Sequence, residues 1–377
     1  MTPRTTPRPV RRLLGLAALL GLVLASCRDE LPQSSLNPAG PQARTIDGLF
    51  TPVFWIAAGV FVVVEGAILF AALRYRSRNG RVRNPVQVHG NTRLEIVWTV
   101  IPAVILAIIA VPTVRTIFAL AEPPDDPDTV NIEVIAHQWW WEFRYPELGI
   151  VTGNEMYMPV QRPVHLELHS AEVADSGADR SAIPVIHSFW IPRLGGKQDM
   201  VPGRVAAMTL EADEPGTYPG QCAEFCGLSH ANMRFRAIAV SDADFDAWVQ
   251  SMRDTAAGPP EEPAEGEPMT PEQEGEILFG KFTTGDFPDG FSCFACHAVD
   301  ANLGEDTKPG QTTAVGPNLA RFGERQTLGA GIFENTEENL RRWLDDPRAM
   351  KPGAIMPDYG LSEQQIDALV AYLMSLQ

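Results

Sequence analysis

The side chains best suited to chemistry in this 377-residue chain lie between Gln221 and Met233, where Cys222, Cys226, His230 and Met233 fall close together. Two thiols, an imidazole and a thioether make a soft ligand set, and sulfur with imidazole selects copper or zinc over magnesium or calcium. A mononuclear blue-copper site uses one cysteine. A second thiolate four residues on therefore points to two metal ions bridged by two sulfurs. Met233 points the same way, because a thioether is a poor zinc ligand and a common weak copper ligand. Such a centre needs a second imidazole from elsewhere in the fold.

A separate pattern lies at Cys293-Phe294-Ala295-Cys296-His297, the attachment sequence of a c-type haem. The two thiols would add to the haem vinyl groups, and His297 follows where it can ligate the iron. A zinc ligand set is the alternative reading of the same residues. The sixth haem ligand should be a methionine, which raises the potential. Met356, in Gly353-Ala354-Ile355-Met356-Pro357, is favoured, with Met350 as its competitor. The fifth cysteine, Cys27, closes an apolar run, Leu13–Ala25, that follows Arg4, Arg8, Arg11 and Arg12. Residues 1–27 thus read as an export signal. Leu24-Ala25-Ser26-Cys27 resembles the end of a bacterial lipoprotein signal, which would make Cys27 the lipid-modified first residue; an uncleaved anchor is the alternative. With all five cysteines so placed, none is left for a structural disulfide.

The elements that must position these groups fall into four stretches. Residues 45–122 form a transmembrane hairpin: Leu49–Leu73 is apolar except for Glu65, and Ile96–Val114 carries no charge and spans roughly 28 Å as a helix. Between the two spans stand Arg74, Arg76, Arg78, Arg81, Arg83 and Arg93, which place that loop in the cytoplasm and both ends of the hairpin outside. Glu65 and Glu95 are ionisable groups at or near membrane depth and must face protein, so a larger membrane partner is implied. Pro102 and Pro112 should kink or locally unpair the second span. Residues 128–252 change to short alternating segments. Val130, Ile132 and Val134 share one face, and Val164, Leu166 and Leu168 alternate with His165, Glu167 and His169, as in an all-β sandwich. His187, at the end of the apolar Val185–Trp190 strand, is the candidate second imidazole. His165 and His169 read as solvated, and His137 is harder to exclude. Residues 253–270 interleave acids with prolines and read as an extended, exposed tether. Residues 271–377 read as mostly helical, with helices over Glu272–Phe282 and Asp367–Leu376.

The charge is uneven. Residues 1–100 hold 12 Lys+Arg against 5 Asp+Glu, while the remainder holds 18 against 42. The acidic outer region excludes nucleic acid as a natural partner and suits a basic protein.

Several separated motifs together resemble subunit II of cytochrome c oxidase over about residues 45–250. They are Cys-x-Glu-x-Cys-Gly-x-x-His-x-x-Met, His187-Ser188-Phe189-Trp190, Lys197-Gln198-Asp199-Met200-Val201-Pro202-Gly203-Arg204, His137-Gln138-Trp139-Trp140-Trp141 and Glu95-Ile96-Val97-Trp98-Thr99. The resemblance implies a cupredoxin domain with a binuclear copper (CuA) centre held by His187, Cys222, the Glu224 carbonyl, Cys226, His230 and Met233. It further implies a magnesium site shared by the Glu224 side chain with subunit I, Trp139 as the point where electrons arrive, and Glu95 at the cytoplasmic mouth of a proton path. Residues 271–377 resemble a class I cytochrome c. Val315-Gly316-Pro317-Asn318-Leu319 is similar to the segment that sets a proline carbonyl against the proximal imidazole. The combination is that of a caa-type haem–copper oxidase. It implies electrons passing from an external cytochrome c or other donor through haem c to CuA and then to subunit I, where dioxygen is reduced to water with proton pumping. The chain would sit in the bacterial plasma membrane as a multi-pass protein, both redox domains on the periplasmic side. The tether would hold the donor domain at an effective concentration on the order of millimolar, so docking need only be weak.

Overall fold

A computed structural model describes residues 31–76, 87, 89–171, 184–254, 268–280, 292–302 and 315–377. Cys27, the loop arginines Arg78, Arg81 and Arg83, and most of the acidic tether lie outside the described residues.

Two long helices come first, α1 (Pro41–Arg74) and α2 (Thr92–Ala121). At 34 and 30 residues they are each about 45–50 Å long, more than the hydrocarbon thickness of a bilayer. Their apolar side chains, Phe61, Val63, Leu69 and Ile108 among them, point outward. Pro102 and Pro112 both lie inside α2, which runs on through them as one helix. The start of α1 is tied to the outer domain. Ala39 N donates to Arg193 O, Asp213 N donates to Ala39 O, and Arg44 pairs with Asp213. Gly40 leaves no room for a side chain, since a Cβ there would fall on the Glu211 carbonyl.

The outer domain is a β-sandwich. One sheet contains β1 (Val130–His137), β2 (Trp140–Tyr145), β3 (Ile150–Gly153), β5 (Val164–Ser170) and β8 (Ala206–Leu210), in the order β3-β2-β1-β5-β8. The other contains β4 (Glu155–Pro159), β6 (His187–Trp190), β7 (Gln198–Met200), β9 (Gly216–Cys222) and β10 (Arg234–Val240), in the order β4-β10-β9-β6-β7. The alternating apolar residues do face inward: Val134, Trp141, Phe143, Leu166 and Leu168 meet Met156, Phe189 and Phe235 in one core. Helix α3 (Asp242–Asp254) closes the sandwich by burying Phe245, Val249 and Met252, an i, i+4, i+7 stripe.

The outer face of the first sheet departs from expectation. Glu133, His137, Glu142, Arg144 and His169 are all buried there. His137 Nε2 meets Glu142 Oε2 at 2.9 Å, Arg144 Nε donates to Glu142 Oε1 at 2.6 Å, and His169 Nε2 lies 3.5 Å from Glu133 Oε1, within ion-pair reach but without a hydrogen bond. His169 is therefore a buried partner of a carboxylate and not a solvated side chain. His165 is half-buried against Thr209.

The C-terminal region has its own core, built on α4 (Pro271–Gly280), α5 (Glu337–Asp345), the short α6 (Pro347–Met350) and α7 (Glu363–Ser375), with a small ladder of β11 (Thr327–Leu328) and β12 (Phe333–Glu334). Helices α4 and α7 cross at Gly275, where a Cβ would strike the Ala368 carbonyl. The closing helix starts four residues before the expected position. Ser362 and Gln365 form a reciprocal capping box, which supplies the start signal.

Candidate metal centres

The soft-ligand loop is assembled by the second sheet. Strand β6 pairs with β9 so that Phe189 opposes Cys222, which brings His187, at the start of β6, beside the end of β9. Cys222 N donates to Met233 O and Ala223 N to Ser188 O, so both ends of the loop are pinned. The result is a tight cluster. Cys222 Sγ lies 3.8 Å from His187 Nδ1, 3.2 Å from the Glu224 carbonyl oxygen and 3.9 Å from Cys226 Sγ. Cys226 Sγ in turn lies 3.6 Å from His230 Nδ1 and 3.8 Å from Met233 Sδ. His187, Cys222, Cys226 and Met233 are buried, His230 is half-buried, and the Glu224 side chain is exposed. All six residues expected from the sequence converge. The Cys226 thiol donating toward Cys222 holds the Cys222 sulfur well below the usual thiol range, while Cys226 is pushed up. A buried sulfur pair of this kind, ringed by two imidazoles, a carbonyl and a thioether, suits soft metal ions. His165 and His169 lie on the other sheet and take no part.

The second cluster lines a crevice in the C-terminal region. Cys293, Cys296, His297 and Met356 all border one cavity of about 180 Å³ whose walls are mainly apolar. Met350 is not among the residues that border it. His297 Nδ1 donates to Pro317 O at 2.8 Å, leaving Nε2 as the ring's unprotonated nitrogen. Burial lowers the His297 pKa, keeping the ring neutral and ready to ligate. Gly316 is required beneath the ring, because a Cβ there would lie 2.5 Å from Cε1. None of Cys222, Cys226, Cys293 and Cys296 forms a disulfide. The donor set, the enclosed apolar crevice and the paired thiols fit a covalently held haem.

Between the clusters runs a seam that sequence reasoning missed. Val151 N, on the edge strand β3, donates to Ala301 O, and Ile150 bridges Asn302. Glu155 Oε1 accepts from Gln326 N, Thr327 N and Thr327 Oγ1 at 2.9, 3.0 and 3.2 Å. Arg234 N donates to Ala330 O. Lys351 Nζ donates to Trp139 O at 2.6 Å. The helical region is thus seated on the sandwich through main-chain and charge-assisted hydrogen bonds. No charge pattern in the sequence marks the Glu155 and Lys351 contacts, whose members lie 171 and 212 positions apart.

Trp139 stands in this seam. Its Nε1 donates to Cys226 O at 3.1 Å, alongside Gln138 Nε2 at 2.7 Å. Gly227, at φ +119, lets the loop pass beneath it. Its ring also walls the crevice that holds His297 and Met356, and Gly353 packs against it. Glu95 is exposed at the start of α2, where its carboxylate accepts from Asn91 N at 3.1 Å. That contact caps the helix.

Three family models match the chain in order. The transmembrane domain of cytochrome c oxidase subunit II matches residues 33–116, its periplasmic domain residues 130–240, and cytochrome c residues 274–377. The chain is 41% identical over 366 residues to cytochrome c oxidase subunit 2 of Alkalihalophilus pseudofirmus, covering 96% of this chain and 95% of the relative. It is 36% identical over 281 residues to quinol oxidase subunit 2 of Bacillus subtilis, covering 72% and 82%. The crystal structure of the periplasmic domain of subunit II of cytochrome oxidase from Bradyrhizobium japonicum is 27% identical and covers 37% of this chain and all of that one, at a TM-score of 0.31. A hairpin of membrane-length helices, a cupredoxin-like sandwich and a cytochrome c domain define a membrane-anchored subunit of a haem–copper oxidase. More narrowly, the chain belongs to the cytochrome c oxidase subunit II family, in the form with a cytochrome c domain at its C-terminus, and is part of the oxidase complex.

Proposed function

We propose that this chain is the electron-receiving arm of the oxidase: Cys293, Cys296, His297 and Met356 would hold a covalent haem, and His187, Cys222, Glu224 O, Cys226, His230 and Met233 would hold a binuclear copper (CuA) centre, the pair serving electron delivery to subunit I. Haem and copper supply one-electron chemistry when bound. The protein's own work is to hold ligands still. Loop donors pinned to a β ladder change little as charge comes and goes, which keeps reorganisation small. The Pro317 carbonyl orients His297, and mainly apolar side chains line the crevice. The observation that carries the reading is Trp139, which donates to the Cys226 carbonyl and walls the His297–Met356 crevice with the same indole. Trp139 therefore serves transfer from the chain's own haem, and a soluble basic cytochrome or other donor reduces that haem elsewhere on its surface.

In this reading the hairpin lies in the bacterial plasma membrane with its Arg-rich loop in the cytoplasm, both redox domains on the periplasmic side and Cys27 lipid-anchored. The exposed Glu224 carboxylate is available to a magnesium ion shared with subunit I, and Glu95 sits at the proton-path mouth. Dioxygen reduction and proton pumping belong to subunit I. The ligand set separates this chain from a quinol oxidase subunit, a role in which the copper donors are dispensable. Metal analysis of the purified chain tests it. Two copper ions and one covalent haem are expected, and zinc or a single copper overturns it.

A further inference from the structure

Charged groups buried between two domains raise the question of what they are for. Glu155 on β4 is 2% exposed, and the hydrogen bonds to its Oε1 all come from the cytochrome domain: the amides of Gln326 and Thr327 and the Thr327 hydroxyl. Lys351 of the cytochrome domain is 5% exposed and reaches the other way, to the Trp139 carbonyl of the sandwich, while also donating to Gly329 O at 3.3 Å. Burying an ammonium or a carboxylate at such a place is costly, and hydrogen-bond partners offset that cost.

The two contacts bracket the crevice. Near Glu155, Arg325 donates to Gly153 O at 3.3 Å and, within its own domain, to Asn318 O at 2.6 Å. There Gly153 abuts Pro317, whose carbonyl holds His297. Near Lys351, Gly353, at φ +86, packs on Trp139, and Met356 follows three residues on. One clamp thus stands behind each side of the haem site.

We propose that Glu155 and Lys351 are positioning residues, which lock the cytochrome domain onto the sandwich in the single pose that makes Trp139 a wall common to the haem crevice and the copper loop. The domain works docked and does not shuttle on its tether. The inference rests on the haem-to-copper route above.

The test uses the whole oxidase carrying Glu155→Ala, Lys351→Met or both. Hydrogen exchange is read at Val151 N and Arg234 N, which cross the seam to Ala301 O and Ala330 O without touching either altered side chain. Each single variant should raise exchange there by about tenfold, the loss expected for one charge-assisted contact. Flash reduction of the haem should then show slower transfer to copper in the double variant, by about tenfold or more. Copper should still be reduced directly by a small inorganic reductant, and the copper potential, on which the Lys351 charge acts through Cys226, is measured in each variant so that driving force is separated from pose. If Glu155→Ala fails to load copper, Thr327→Val removes part of the same clamp from the other side. Wild-type exchange at both amides in both single variants overturns the clamp, as does a wild-type transfer rate in the double variant. A wild-type chain whose reduced haem never passes an electron to copper defeats the route itself and this inference with it, and exchange tells the two failures apart.

Discussion

Gly316→Ala is the sharpest probe of how the crevice holds His297. A Cβ at position 316 would stand 2.5 Å from Cε1, 2.9 Å from Nδ1 and 3.0 Å from Nε2 of the ring, where ordinary contact begins at 3.4 Å. Ring and backbone must therefore part by about 0.9 Å. The loop that would move carries Pro317, whose carbonyl accepts from Nδ1 at 2.8 Å, so a shift of this size breaks or bends that bond. Overpacking costs about 1–3 kcal/mol and the lost hydrogen bond about 1 more. For a domain of roughly 100 residues this lowers the midpoint by roughly 10 °C or more. The assay is thermal melting of the holoprotein followed at the haem Soret band, with the axial-ligand bands read at low temperature. The variant should melt early and show a weakened histidine–iron bond. A melt within about 2 °C of wild type with unaltered ligand bands would refute the reasoning.

Cys222→Ser should abolish copper binding while the haem stays attached, because the two clusters have separate cores; metal analysis and the pyridine haemochrome assay decide it. Met356→Ala should give a high-spin haem of lowered potential, and Met350→Ala should not, as redox titration with optical spectroscopy will show. The Glu142 carboxyl resists burial, which alone would raise its pKa, yet His137 and Arg144 hold it down at about 2 from an ordinary 4.5. A carboxylate with a depressed folded pKa contributes stability that is complete above the unfolded value and is lost as pH falls from 4.5 towards 2. Glu142→Gln should therefore flatten the acid limb of the sandwich's stability curve, by about 3 kcal/mol across that window, in denaturant melts at a series of pH values. An equally steep acid limb in the variant would show that other carboxylates govern it.

The two chemical sites were legible because most of their ligands are local. Cys222 to Met233 and Cys293 to His297 are short segments whose donor types leave few alternatives. His187 could be found at a distance because it stands at one end of an apolar strand, the first residue of β6, and the copper loop lacked an imidazole. The hairpin was equally plain from its apolar runs. What stayed hidden was the fate of charges. Glu133 and His169 alternate with core residues, so the period-two pattern assigns them to a wet face, whereas the structure buries both in a network with Glu142 and Arg144. Glu155 and Lys351 look like ordinary surface charges in sequence, and only tertiary structure brings each to its partner. Local composition does not report what the region beyond residue 270 touches.

The hydrogen bond from Val151 to Ala301 has one more implication. Strand β3 is the last of its sheet, and the cytochrome domain supplies its missing neighbour. A bare strand margin is a template for other chains. A shortened chain ending after α3 would thus present a sticky rim, and its self-association should grow with concentration in sedimentation runs. The second redox module doubles as a lid that keeps the first one monodisperse.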